Sequence, residues 1–153
     1  MKIDFITGGE KRRVLRTMKD FFGIEKMNYL MFSVGKEKIR GYSGHLSKEE
    51  ILQLSELTRI EGIGLYLMKR GEGLRLSFDA TQILKPLIKK SVFKMNKEHF
   101  EQWIKGEDFE AKSERGILIM EYEGDYYGCG KSNGEKIFNQ VPKERRIKPN
   151  RKV

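Results

Sequence analysis

The sequence predicts an α+β fold, with a small α/β module over residues 1–57 and a strand-rich unit with short helices over residues 58–153. Three observations carry this. Apolar residues at helical spacing fill residues 10–22, short alternating runs recur from about residue 60 onward, and glycine, asparagine and proline turn signals separate those runs.

In the first module, Val14, Leu15, Met18, Phe21 and Phe22 form one stripe of a helix over Glu10–Phe22, with Arg12, Arg16 and Lys19 opposite and Gly23 as its stop. NYLMFSV (28–34) is an apolar run of strand length, and KEKIRGYS (36–43) can pair with it as a hairpin. Residues 47–57 open with a capping box, in which Ser47 caps the amide three residues on and Glu50 reaches back.

In the second unit, IEGIGLYLMK (60–69) and LRLSF (74–78) read as strands across the turn RGEG. Asp79 is placed to cap a short helix that Pro86 limits, since proline lacks an amide donor. VFKM (92–95) is a further strand. Asn96 then caps KEHFEQWIK, whose Phe100, Trp103 and Ile104 share a face, with Gly106 at its end. GILIMEYE (116–123) alternates, Gly124-Asp125 turns the chain into YYGCGK, and Asn133-Gly134 is a type I′ hairpin signal before KIFNQV. The unit reads as a small mixed barrel or curled sheet.

Bulk properties narrow the function. No apolar run approaches the roughly 18–20 residues that span a bilayer, and the N-terminus MKIDFITGGEKRR lacks the apolar stretch of a signal peptide, so the cytoplasm is the expected location. One cysteine, Cys129, excludes an intramolecular disulfide and a multi-cysteine zinc site, and no metal or cofactor is expected. Lys and Arg number 31 against 22 Asp and Glu, a net charge of +9 with a pI near 9.6. The excess is clustered: residues 143–153 carry six basic groups and one acid, and residues 10–19 carry five and one. Clustered charge at this pI is the electrostatic footprint of a chain that meets phosphate backbones, although it also suits a merely solvated surface.

Two motifs mislead. Gly130-Lys131-Ser132 ends like a phosphate-binding P-loop, but the first glycine of that motif should stand at Asp125; Gly124 is one residue too early. The lysine also leads into a hairpin turn instead of a helix N-terminus that would aim amides at phosphates. IDFITGGEKRR resembles a dinucleotide-binding strand-turn-helix but lacks the third glycine and a following strand-helix-strand unit. Cys129, between two glycines, suits a buried core thiol better than a nucleophile, although Lys131 shares its strand face. His45 reads as a loop residue and His99 as a structural one, and no set of acids and bases forms a catalytic constellation.

The last forty residues interleave Tyr126, Tyr127 and Phe138 with Lys131, Lys136, Lys143, Arg145 and Arg146. Aromatic faces stack on unpaired bases while cations meet phosphates, the usual mixture for RNA. Tyr126 and Phe138 also fit a core. Glycines 128, 130 and 134 would let a backbone pass close by.

Residues from about 60 to 147 resemble the C-terminal PUA-like domain of the Nol/Nop/Sun family of RNA cytosine-5 methyltransferases, which includes bacterial RsmF. The resemblance rests on GIGLYLMKRGEGLRLS, ATQILKPLI, the Trp103-Ile104-Lys105-Gly106 step, and a closing block of Gly124, Gly128, Gly130, Lys131, Gly134, Lys136, Asn139, Pro142, Arg145 and Arg146. Residues 1–57 resemble the small module placed before PUA domains in archaeal RNA-modification and ribosome-biogenesis proteins. The family's methyltransferase core, with its S-adenosylmethionine loop and proline-preceded catalytic cysteine, has no counterpart; Cys129 follows Gly128. The resemblance thus implies a PUA-like mixed β-barrel and a non-catalytic RNA-binding chain, serving tRNA or rRNA in modification or ribosome biogenesis, with a separately encoded methyltransferase as a conceivable partner. Arg70, Arg75, Lys131, Lys136, Asn139, Lys143, Arg145 and Arg146 are the expected RNA contacts, with Arg12, Arg13 and Arg16 extending the track. The alternative is a protein–protein adaptor that docks on a separately encoded methyltransferase or a ribosomal particle through Tyr126, Tyr127 and Trp103.

Overall fold

The computed structural model describes residues 3–57, 64–71 and 73–147. The start of the strand expected over residues 60–69, one residue of the RGEG turn, the boundary expected at residue 58 and the end of the basic tail lie outside the described residues.

The chain runs β1 (Asp4–Phe5), α1 (Gly8–Phe22), β2 (Leu30–Val34), β3 (Lys38–Tyr42), α2 (Lys48–Leu57), β4 (Leu65–Gly71) and β5 (Gly73–Leu76). These five strands form one antiparallel sheet in chain order. The first sheet therefore continues past residue 57: β3 would otherwise present a row of unpaired backbone groups, and β4 satisfies them. Next come α3 (Phe78–Ile83), a 3₁₀ turn at Lys85–Leu87, β6 (Val92–Lys94), α4 (Lys97–Ile104), β7 (Phe109–Glu110), β8 (Gly116–Tyr122), β9 (Asp125–Ser132), β10 (Lys136–Asn139) and a 3₁₀ turn at Lys143–Arg145. The second sheet has the order β6-β8-β9-β10-β7, with β6 parallel to β8 and the other pairs antiparallel. Two sheets, one of them a curled half-barrel, with helices packed against them make the molecule α+β.

Local chemistry fixes the helix ends. α1 buries Val14, Met18 and Phe22, and Gly23 ends it at φ 68° with its amide donating to Lys19 O. Both halves of the Ser47–Glu50 capping box form, at 3.1 and 3.2 Å. α3 is capped differently from the expectation. Ser77 Oγ accepts the Ala80 amide at 3.1 Å and donates to Tyr66 O at 2.6 Å, which leaves Asp79 inside the first turn. A hydroxyl can do both jobs, tying the helix to β4, where a carboxylate could only accept. Asn96 caps α4 through the His99 amide at 2.8 Å, and Gly106 follows with φ 89°.

β8 is the central layer. Its Ile119, with Cys129 of β9, joins Met18, Phe22, Ile39, Leu67, Met68, Leu76 and Leu84 in a core between the two sheets. On the other face, Leu118 and Met120 pack with Trp103, Phe109, Ile137 and Val141 under α4. The expected alternation does not hold over Ile117–Met120, which is an unbroken apolar run, because successive side chains leave on opposite faces and both faces are covered here. α3 fills the joint between the sheets with buried Ala80 and Thr81; Thr81 Oγ1 accepts the Gly128 amide at 3.0 Å.

Candidate nucleic-acid interface

The stretch containing the P-loop letters is a β-hairpin. Lys131 and Ser132 end β9, and Asn133 opens the turn, its Oδ1 accepting the amides of Glu135 and Lys136 at 3.0 and 2.8 Å. Ser132 is buried and its Oγ accepts the Gly134 amide at 3.0 Å, so this serine braces a turn. Gly134 has φ 99° but Asn133 has no positive φ, so the expected type I′ turn does not form here. It forms instead between β8 and β9, where Tyr122 pairs with Asp125 and both Glu123 (φ 47°) and Gly124 (φ 86°) are left-handed. Gly130 serves packing: an added Cβ would lie 2.7 Å from Ile137 Cγ2 and 2.8 Å from Trp103 Cη2.

Where the sheets meet, a trough opens along the edge of the inter-sheet core. Its middle is a depression of about 240 Å³ lined by Glu37, Lys69, Arg70, Arg75, Lys131 and Gln140, among others. Arg70 also borders a neighbouring depression with Glu10 and Arg13 of α1. Arg75 and Gln140 border a second neighbour that reaches Asp79 and Arg145. The three share walls and so form one path from α1 to the C-terminal turn.

Cations dominate that path. Lys38, Lys69 and Arg75 stand directly opposite one another on three adjacent strands. Like charges in register are destabilising by roughly 0.2–1 kcal/mol a pair, so such a row favours a bound anion. Internal carboxylates hold some of the charge: Glu37 lies 3.4 Å from Lys69, Glu10 2.9 Å from Arg70, and Asp79 2.8 Å from Arg145. All three pairs are substantially exposed, so each contributes little to stability and can be exchanged for a phosphate. Phe138, 39% exposed, sits opposite Lys131 in the β9–β10 register, with Lys136 Nζ 5.4 Å from its ring centre. It faces outward, against the expectation of a core role; Tyr126 and Tyr127 pack against the two cores.

The structure thus brings Arg13, Arg70, Arg75, Lys131 and Arg145 to one trough. Arg12 and Arg16 are exposed on α1, and Lys136 and Lys143 lie on the second sheet and its following turn, without lining it. Asn139 is occupied internally. Its Nδ2 donates to Trp103 O at 2.8 Å and Glu107 O at 3.0 Å, while Oδ1 accepts the Val141 amide at 2.8 Å, so the side chain braces the strand end. Arg146 Nε donates to Val141 O at 2.8 Å, and its stem packs over Gly106. Lys69 and Gln140 are trough residues that the sequence reading missed. Lys69 carried a signal, its place beside Arg70 on a strand facing Arg75; Gln140 carried none.

Other candidates resolve structurally. Cys129 is buried, and desolvation pushes its thiol up to about 12, against the lowering influence of a Leu76 backbone hydrogen bond and the Arg75 charge. Such a thiol is a core group and a poor nucleophile. His99 stacks on Phe109 at 4.4 Å and has its pKa lowered by burial, partly offset by Glu98. Trp103 is fully buried, with Nε1 donating to Tyr127 O at 2.7 Å, so it cannot anchor a partner at the surface. Among the described residues, no group of three or more His, Cys, Asp or Glu is placed to hold a metal ion, and no helix is long and apolar enough to cross a membrane.

Residues 90–147 match the family model described as the methyltransferase RsmF PUA domain. The match spans all of the second sheet and α4. This part of the chain is a PUA-like domain resembling the C-terminal domain of the Nol/Nop/Sun enzymes. A comparison with curated proteins gave no match.

Proposed function

We propose that the protein is a non-catalytic, cytoplasmic RNA-binding protein that holds tRNA or rRNA during modification or ribosome biogenesis, working beside a separately encoded RNA methyltransferase. The observation that carries this reading is the convergence of Lys69, Arg70, Arg75 and Lys131, drawn from both sheets, around one depression. The PUA-like second sheet supports it, since that domain type is matched here in its RNA-methyltransferase form. Phe138 beside Lys131 supplies a stacking face next to a phosphate-binding cation, a combination suited to single-stranded segments. The trough residues act by position: cations meet the sugar-phosphate chain, and the exposed ring meets a base.

The test is a titration of single-stranded RNA over a range of salt concentrations. Log K is expected to fall with log salt by roughly 0.7 for each phosphate contact. Absence of RNA binding, or binding indifferent to salt, overturns the reading.

A further inference from the structure

We infer that the central depression of the trough takes a single unstacked nucleobase, read by Gln140. The inference rests on the RNA-binding reading and deepens it. Among the described residues, two buried side-chain polar atoms have no hydrogen-bond partner, Arg70 Nε and Gln140 Oε1. Both belong to residues lining this same depression of about 240 Å³. Buried polar atoms are nearly always partnered, and each exception needs an explanation. Here one explanation covers both, a ligand that offers an acceptor to Arg70 and a donor to Gln140.

A phosphate oxygen would satisfy the arginine alone, because phosphate has no donor to give the Gln140 carbonyl. A nucleobase carries donors and acceptors side by side on one rigid edge, and its ring is the right class of object for a space much larger than the roughly 30 Å³ of one water. The flanking cations, Lys69, Arg75 and Lys131, then hold the phosphates on either side of the inserted base. Phe138, outward-facing and opposite Lys131, offers its ring to a neighbouring base. Gln140 Oε1 is recessed, so it is best reached by a donor that projects from the ring. The exocyclic amine of cytosine projects in this way, with the adjacent ring nitrogen accepting from Gln140 Nε2; uracil presents a carbonyl at that place.

The experiment compares oligocytidylate and oligouridylate of equal length, which differ only at this edge, on the full chain. The wild-type protein is expected to bind oligocytidylate about tenfold more tightly, the discrimination of one well-formed base contact. Gln140→Leu should level the two affinities and leave the salt slope unchanged, whereas Gln140→Glu, which keeps the acceptor but loses the Nε2 donor, should bind both more weakly and retain only part of the preference. RNA binding with equal affinities in the wild type, or a preference that survives in Gln140→Leu, overturns this inference and leaves the RNA reading standing. No binding of either oligonucleotide overturns both.

Discussion

Arg145 Nη2 lies 2.8 Å from Asp79 Oδ2, so the C-terminal 3₁₀ turn is tied to the first turn of α3. On the RNA-binding reading, a phosphate would take the place of this carboxylate beside Arg145. Both groups are about half exposed, so the pair contributes no more than about 1 kcal/mol to stability. Asp79→Asn is therefore expected to leave thermal stability within about 1 kcal/mol and to tighten RNA binding a few-fold at low salt, with the gain fading as salt rises. Weaker binding by this variant would show that Asp79 helps to hold RNA and does not compete with it.

The trough and the tail separate in their salt response. Arg75→Ala and Lys131→Ala should each reduce the slope of log K against log salt by about 0.7. Arg146→Ala should change it little, because Arg146 lines none of the three depressions, and the loss of its Nε bond to Val141 O should instead lower stability by about 1 kcal/mol. Parallel salt titrations of the three variants decide it.

Asn139 and the RNA contacts separate in the same way. Asn139→Ala removes two donors from the carbonyls of Trp103 and Glu107 and an acceptor from the Val141 amide. A cost of about 1–3 kcal/mol in urea unfolding is expected, with no change in the salt slope of the folded protein.

Gly130→Ala tests packing. The new Cβ would sit under 3 Å from Ile137 and Trp103, and both neighbours are fully buried and have little room to move. Destabilisation by about 1–3 kcal/mol follows, read as a lower denaturant midpoint.

Cys129 gives a pH signature. Its folded-state pKa is raised from the usual 9.0 to about 12, so the native state keeps a proton that the unfolded state releases. The stabilisation is fully present below about pH 9 and declines as pH rises toward 12. Cys129→Ala, although less stable at neutral pH, should lose less stability than the wild type across that window. A thiol reagent should label Cys129 only on unfolding; rapid labelling of the native protein would contradict its burial.

Features that a few adjacent residues decide were legible in the sequence. Ser47 with Glu50, and Asn96 with the His99 amide, cap their helices because the partners are three residues away. The sequence signal for a type I′ turn is Asn133-Gly134, yet the turn lies at Glu123-Gly124, since Asn133 has no positive φ and uses its side chain to open its own turn. β7, two residues long, has no periodicity to read and exists only through its pairing with β10. Arg70, Arg75, Lys131 and Arg145 of the eight expected RNA contacts line the trough, and two hairpins of basic sequence make them visible; Lys136, Asn139, Lys143 and Arg146 do not line it. Gln140 and Asp79 entered the site through register and packing, which no local pattern encodes.

β8 also sets an order of assembly. The apolar side chains that the first sheet gives to the inter-sheet core, Ile39, Leu67, Met68 and Leu76 among them, share it with Ile119 and with Met18 and Phe22 of the N-terminal helix. During synthesis these residues leave the ribosome well before Ile119 and Cys129. Until then the growing chain carries an unfinished apolar surface, and a product truncated before Gly116 keeps it. Such fragments are expected to precipitate or recruit chaperones, and the basic trough, walled by both sheets, comes into being only with the last third of the chain.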